Sequence, residues 1–132
     1  MTDFKTKDSG KRRIMETGSQ RDIRAGKGRY DLLSPIALHR VAQLYERGAE
    51  KYDPRNWEKG QPLSVLIDSG LRHGFEYLGG MRDEDHASAV VWNWMAVIHT
   101  EEMIMRGLLP AKLNDLPNYT GIPFKMPKIK RV

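Results

Sequence analysis

The segment 62–80 carries the polar side chains best suited to chemistry in this sequence. Asp68, Arg72 and Glu76 follow one another at intervals of four residues, so a helix would place them on one face, with His73 beside them. A solvated helix face with an Asp68–Arg72 ion pair is the plain alternative, because pairs at this spacing are common on helix surfaces. The polar residues in the segment 83–93 favour a site shared between the two segments.

That next segment places further polar residues among apolar ones. His86 and Asn93 are seven residues apart, which returns them to nearly the same angle of a helix. The acidic link 83–85 joins the two segments. A lone Asn in an apolar stripe is more often a satisfied core amide, but here the buried polar groups can serve one another or a ligand. We predict one polar pocket formed by Asp68, Arg72, His73, Asp85, His86 and Asn93.

The chemistry of this predicted pocket is that of a hard divalent metal. The sequence has no cysteine, so any metal must be held by carboxylate, imidazole or amide groups. Such ligands favour Mg²⁺ or Mn²⁺, ions that neutralise phosphoryl oxygens and lower the pKa of bound water. We therefore predict Mg²⁺ or Mn²⁺ as the cofactor and a phosphorylated substrate.

Several basic and aromatic residues in or near this part of the chain could bind a nucleotide. A basic loop can clamp a polyphosphate, and an indole ring can stack on a base. A solvated loop and plain core packing remain open as alternatives for each of these residues. The candidates are the cations Lys51, Arg55, Lys59 and Arg72 and the aromatic residues Trp57 and Trp92.

Three helices are needed to position these residues, and apolar spacing predicts each of them. The first covers 35–52, between an N-cap and first-turn proline at Ser34-Pro35 and a stop at Asp53-Pro54. The second runs over 62–78 to a pair of glycines, and the third over 86–106. No segment is predicted to be a strand, so the fold class is all-α.

Charge divides the chain into three parts. Residues 1–30 hold nine Lys/Arg and four Asp/Glu, and residues 117–132 hold four Lys/Arg and no acid, which leaves nine basic and 13 acidic residues between them. The acidic centre makes a nucleic-acid partner unlikely, since a phosphate backbone needs a basic face on the folded part. We predict a basic flexible arm (1–28), a helical catalytic domain (29–110) and an extended basic tail (111–132).

Composition argues against several classes of protein. A chain of 132 residues with 39% hydrophobic residues supports one core. No apolar run of about 18 residues is present, and the first ten residues lack the apolar core of a signal peptide, so no membrane-spanning or exported protein is expected. Since the absence of cysteine fits a reducing compartment, we predict a cytoplasmic location, the host cytoplasm if the protein is phage-encoded.

Five motifs stand in order along roughly residues 20–105: GKGRYD at 26–31, GAEKY at 48–52, RNW at 55–57, Asp68 with Arg72-His73, and DEDH at 83–86 leading to Asn93. In that order they resemble the phage dATP/dGTP diphosphohydrolase family, which is related in outline to the MazG-like all-α nucleotide pyrophosphohydrolases. The order of the motifs is more specific than any one of them.

This resemblance implies a MazG-like helical bundle that hydrolyses dGTP, dATP or both. Cleavage between the α- and β-phosphates would give the monophosphate and pyrophosphate with Mg²⁺ or Mn²⁺, in phage nucleotide-pool remodelling. The resemblance also implies a homo-oligomer, a dimer or tetramer. Such an assembly would explain why the third helix is apolar on more than one side.

The expected ligands depart from the MazG pattern of Glu-x-x-Glu on one helix and Glu-x-x-Asp on the next. We therefore assign them by chemistry, with Asp68, Glu76 and Asp85 as metal ligands and Asp68, Asp85 and His86 as catalytic residues. The predicted substrate-binding residues are Lys51, Arg55, Asn56, Trp57, Arg72, His73 and Asn93.

Several alternatives remain open. An HD-type dNTP phosphohydrolase would release triphosphate, but no His-Asp dipeptide occurs in the chain. A non-catalytic nucleic-acid-binding helical module would use the basic arm and tail. Glu46 and Glu50, four residues apart, could supply ligands or lie on a solvated helix face. The segment 26–30 lacks the spacing of a P-loop and could equally be a hinge with a basic anchor.

Overall fold

A computed structural model describes residues 3–132, which form two compact units. Residues 34–122 form the first, here called the helical unit. Residues 3–33 and 123–132 form the second, here called the basic unit.

The helical unit is built from three helices. These are α1 (Pro35–Tyr52), α2 (Leu63–Leu78) and α3 (His86–Met105), with single 3₁₀ turns at Asn56–Lys59 and Ala111–Leu113. The predicted helices are confirmed to within one residue at each end, and the all-α class with them. None of the helices within residues 3–132 is long and apolar enough to cross a membrane.

A side chain accepts a hydrogen bond from a free N–H group at the start of α1 and of α2. The Ser34 hydroxyl accepts a hydrogen bond from Ala37 N–H at 3.1 Å, and Pro35 occupies the first helical position. Pro62 has no side chain with which to cap α2, so the distant Asp115 carboxylate accepts from the backbone N–H of Ser64 at 2.9 Å. Part of the predicted tail therefore anchors the start of α2.

The core of the helical unit lies between α2 and α3. Their buried apolar residues pack together, with Ile67 and Trp92 against them. Gly70 permits this close approach, since a Cβ atom at position 70 would lie 3.2 Å from Asn93 Cβ. The approach brings the later turns of α2 against the beginning of α3. The buried core residues are Leu63, Leu66, Ala96 and Val97.

The basic unit contains a short antiparallel hairpin of β1 (Arg12–Ile14) and β2 (Gln20–Asp22). Here the structure differs from the sequence expectation of an arm without strands. Three-residue strands are too short to show an alternating apolar pattern, and backbone hydrogen bonds in the turn close the hairpin. In the turn, Met15 N–H donates to Ser19 O at 2.8 Å, and Gly18 N–H donates to Met15 O at 2.9 Å.

Candidate functional site

Four potential metal ligands converge where α2 meets α3. His73 and Glu76 lie one turn apart on α2, Glu84 lies in the link, and His86 begins α3. One ligand atom from each of them lies within 4.8 Å of all the others. The Nδ1 atoms of His73 and His86 are 2.9 Å apart, and Glu76 Oε2 lies 3.1 Å from His86 Nδ1.

Asp83 forms a hydrogen bond with the His86 ring and so orients it. Its carboxylate lies 2.8 Å from His86 Nε2, and this hydrogen bond holds the pKa of Asp83 below its ordinary value. An ionised carboxylate can only accept, so Nε2–H is the donor. In the neutral ring Nδ1 is then an acceptor, and it faces the Glu76 carboxylate. Two acceptors in contact require a shared cation, which can be a proton or a metal ion.

These separations suit a single divalent ion. Ligand atoms bound at about 2.1 Å around one ion lie roughly 3 Å apart when they are neighbours. Two of the separations, His73–His86 at 2.9 Å and His86–Glu76 at 3.1 Å, match that spacing, whereas Glu84 Oε2 lies 3.9 Å from the Nδ1 atoms of both histidines. The Asp83–His86 hydrogen bond is also the usual means of orienting a metal-binding imidazole. The donor set therefore fits a metal.

The cluster is buried at one side and open at the other. The His86 side chain is only 1% exposed, whereas that of Glu84 is 63% exposed. His73 and Glu84 both line a cleft of about 650 Å³ in the helical unit, together with Asn93. A ligand in this cleft can therefore reach the open side of the cluster.

Two cations of α1 line the same cleft. Arg47 and Lys51 are four residues apart, so they share one helix face. With His73 of α2 and the link acids Asp83, Glu84 and Asp85, the cleft presents both signs of charge. This arrangement suits a phosphorylated ligand that binds cations at more than one phosphate.

A second cleft, of about 460 Å³, adjoins the first. Gly48 and Trp92 line both, and the predicted residues Arg55, Asn56 and Trp57 line only the second. The Trp57 ring meets Tyr45 and His99 edge to face, with ring centroids 5.9 and 4.8 Å apart. Aromatic neighbours on two sides give the Trp57 ring a fixed orientation at the cleft wall.

Comparison with protein-family models shows which family the chain belongs to. The family model described as dATP/dGTP diphosphohydrolase, N-terminal, matches residues 17–106, about two thirds of the chain. The chain belongs to the dATP/dGTP diphosphohydrolase family. The matched range includes all four residues of the cluster and both clefts. Comparison of this chain with curated protein sequences and with solved structures gave no match.

Four of the six residues predicted in the polar pocket, His73, Asp85, His86 and Asn93, lie in the cluster or line the cleft beside it. His73 and His86 lie in the cluster, and Asn93 is buried beside it at the cleft wall. Glu76, predicted as a metal ligand, lies in the cluster too. Asn93 donates a hydrogen bond to Ala89 O at 2.8 Å, which is the satisfied core amide of the plain alternative, yet it also lines the cleft.

Asp68 and Arg72 are not part of the cluster. They form an ion pair at 3.4 Å, with the Asp68 side chain 78% exposed. The solvated pair considered as the alternative is therefore present. A role for Asp68 in metal binding and for Arg72 in substrate binding remains a prediction.

Asp85 caps α3 and binds α1. Its carboxylate accepts from Ser88 N–H at 3.2 Å and from the Arg40 guanidinium at 2.8 and 2.9 Å. Burial raises the pKa of Asp85, but the hydrogen bonds from Ser88 and Arg40 outweigh burial and hold the pKa below its ordinary value. With its oxygens engaged in this way, Asp85 fixes the start of α3 on which His86 stands, and it lines the cleft as well.

Sequence reasoning did not select Asp83, Glu84 or Arg47. Residues 83–85 were recognised as an acidic link, but Asp85 alone was chosen from it. Which of three consecutive acids meets a neighbouring helix depends on how the link bends. For Arg47 a signal was present, since it lies four residues before Lys51 on a predicted helix.

Proposed function

We propose that the protein hydrolyses purine deoxynucleoside triphosphates, dGTP and dATP, to the monophosphate and pyrophosphate. The cluster of His73, Glu76, Glu84 and His86 at the edge of the cleft lined by Arg47 and Lys51 carries the proposal, because this region combines potential metal ligands with cations that can bind phosphate. Membership of the diphosphohydrolase family supports it. A cytoplasmic site of action in a phage-altered nucleotide pool is part of the same proposal.

The four residues of the cluster would hold a divalent ion. Two imidazoles among four ligands favour Mn²⁺ over Mg²⁺, which prefers an all-oxygen shell. Bound there, the ion would supply charge neutralisation at phosphoryl oxygens and a more acidic water. Asp83 keeps the His86 ring in the tautomer whose Nδ1 is free to bind, and Asp85 holds the helix end in place.

The remaining residues of the two clefts would bind the nucleotide. Arg47 and Lys51 would neutralise the phosphates, since both line the cleft that contains His73 and Glu84. The base would enter the adjoining cleft, where Trp57 offers an aromatic wall and Asn56 offers amide donor and acceptor groups. Because Gly48 borders both clefts, the backbone of α1 leaves room for the sugar between them.

The direct test is incubation of the purified protein with dGTP or dATP and Mn²⁺. We expect pyrophosphate and the deoxynucleoside monophosphate in equal amounts, with less turnover in Mg²⁺ and none in EDTA. Release of inorganic triphosphate and nucleoside would instead indicate the HD-type reaction. If no phosphate bond is broken with any divalent metal, the proposed function is wrong.

We also propose that the protein acts as a homo-oligomer. Apolar side chains lie exposed on the outer faces of α2 and α3, among them Phe75 at 69% and Ile98 at 59%. Exposed apolar surface of this kind usually marks a contact with another protein surface. Light scattering should give two or four times the 15.2 kDa chain mass. We expect Phe75→Glu with Ile98→Glu to give the single-chain mass, and a monomeric wild type would contradict this proposal.

A further inference from the structure

The basic unit carries a large excess of positive charge. Residues 3–33 and 123–132 hold 13 Lys/Arg and five Asp/Glu, whereas the helical unit holds nine and 12. Three of the five acids are already paired, Asp8 with Arg12, Asp22 with Lys27 and Asp31 with Arg29. The excess therefore lies on a folded hairpin and the segments around it.

The hairpin places two arginines against each other. In the β1–β2 register, Arg13 lies directly opposite Arg21, and like charges in this position destabilise a strand pair. The Arg13 Nε atom is also buried without a hydrogen-bond partner. Both features carry a free-energy cost that a bound anion would remove.

A glycine-containing loop adds more cations beside the hairpin. Arg24 and Arg29 line a hollow of about 360 Å³ together with Gly26 and Gly28, which adopt φ of +80° and +85°. The Lys130 side chain passes this loop, since a Cβ atom at position 26 would lie 3.6 Å from Lys130 Cδ. The loop is thus open to a ligand and has cations on several sides.

Two further observations describe the same region. The pKa of Asp31 is lowered, chiefly by its hydrogen bond with Arg29 and further by the charges of Arg24 and Arg13. All three guanidinium groups therefore lie close enough to Asp31 to affect its carboxylate. Exposed aromatic rings also accompany the cations in this unit. They are Phe4 at 97%, Tyr30 at 71% and Phe124 at 61% exposure.

We propose that the basic unit binds single-stranded nucleic acid, with Arg13, Arg24 and Lys130 on the phosphate backbone and Tyr30 stacked on a base. The charge extends over the hairpin, the loop and the tail, which suits a chain of phosphates better than a single phosphate. Exposed rings among cations are the usual means of holding unpaired bases. This inference is independent of the proposed hydrolysis.

The test uses the full chain in EDTA and a fluorescein-labelled single-stranded DNA of about 20 nucleotides. Anisotropy should show binding that weakens linearly with salt on logarithmic axes. The double variant Arg13→Gln/Arg24→Gln should bind about tenfold more weakly or worse, and its salt slope should be shallower by about 1.4, which is two backbone contacts. Tyr30→Ala should weaken binding without changing the slope.

The matched control is Lys59→Gln/Lys112→Gln, which removes the same charge from exposed positions of the helical unit. It should bind DNA as the wild type does. Equal weakening in both double variants, or no binding by the wild type, would overturn the proposal. Displacement of DNA by an equal phosphate concentration of tripolyphosphate would also overturn it, since the site would then serve small anions.

Two measurements show whether the helical unit stays folded in the double variant Arg13→Gln/Arg24→Gln. Helical circular dichroism and nucleotide hydrolysis should both stay at the wild-type level, because neither arginine belongs to the helical unit. Lys130→Gln provides a second variant that leaves both strands intact, and it should also weaken binding. Wild-type affinity in Lys130→Gln and in Arg24→Gln alone would contradict the assigned contacts.

Discussion

Glu76→Gln should lower pyrophosphate release by roughly 10²-fold or more, since even residues that only orient a metal ligand are worth about 10- to 100-fold. Glutamine keeps the size of the side chain and removes the charge that faces His86 Nδ1 at 3.1 Å. The effect should appear as weaker Mn²⁺ binding in calorimetry as well as a lower turnover rate. The helical circular dichroism should not change, because the Glu76 carboxylate contributes nothing to the core.

Asp68→Asn is the matched control on the same helix. It also replaces an acid by its amide, but at an exposed position with a single ion pair at 3.4 Å. Activity should stay within about a factor of three of the wild type, as is usual for an exposed pair. The reverse pattern, with an inactive Asp68→Asn and an active Glu76→Gln, would support Asp68 among the three metal ligands predicted from the sequence and contradict the proposed centre.

Saturating Mn²⁺ should raise the melting temperature by roughly 10 °C or more. A ligand at a hundred times its dissociation constant stabilises the native state by about 2.7 kcal/mol, and each kcal/mol is worth about 4–8 °C in a domain of this size. The increase should be lost in His73→Gln, whose imidazole lies 2.9 Å from that of His86 at the cleft. Differential scanning fluorimetry measures the change without any substrate.

The control for this shift is His39→Gln, which changes an exposed histidine of α1 in the same way. It should keep the full Mn²⁺ stabilisation. A shift of the same size in His73→Gln and in the wild type would place the ion elsewhere on the protein. Comparison with Mg²⁺ tests the ligand chemistry, since a larger shift with Mg²⁺ would argue against two imidazole ligands.

The helices of this protein could be predicted because their signals are local. Ser34 and Pro35 begin α1 and Asp53-Pro54 ends it, and the Gly79-Gly80 pair ends α2. Each signal acts within one or two turns of the chain, so no distant contact is required. The hairpin at 12–22 depends on pairing between two three-residue strands, which leaves too short a pattern to read.

The acids of the site show what helical spacing alone cannot predict. Helical spacing places Asp68 and Glu76 on a related face, but eight residues separate them by about 12 Å along the axis and by about 80° around it. Only the packing of α2 against α3 decides which of the two meets His86. That packing depends on Gly70 and Asn93, whose close approach sets where the helices touch.

The sequence by itself determined three helices and the absence of thiolate ligands, and it selected His73, Glu76, His86 and Asn93 as site candidates together with Asp68, Arg72 and Asp85. The tertiary structure decided which carboxylates meet the two histidines. It places Glu84 beside Glu76 in the cluster, and it brings Asp85 into hydrogen bonds with Ser88 and Arg40. Asp68 is solvent-exposed and forms an ion pair with Arg72. Residue type and spacing limit the chemistry that a helix can offer, but a metal site needs atoms about 3 Å apart, and that distance is set by how the helices pack.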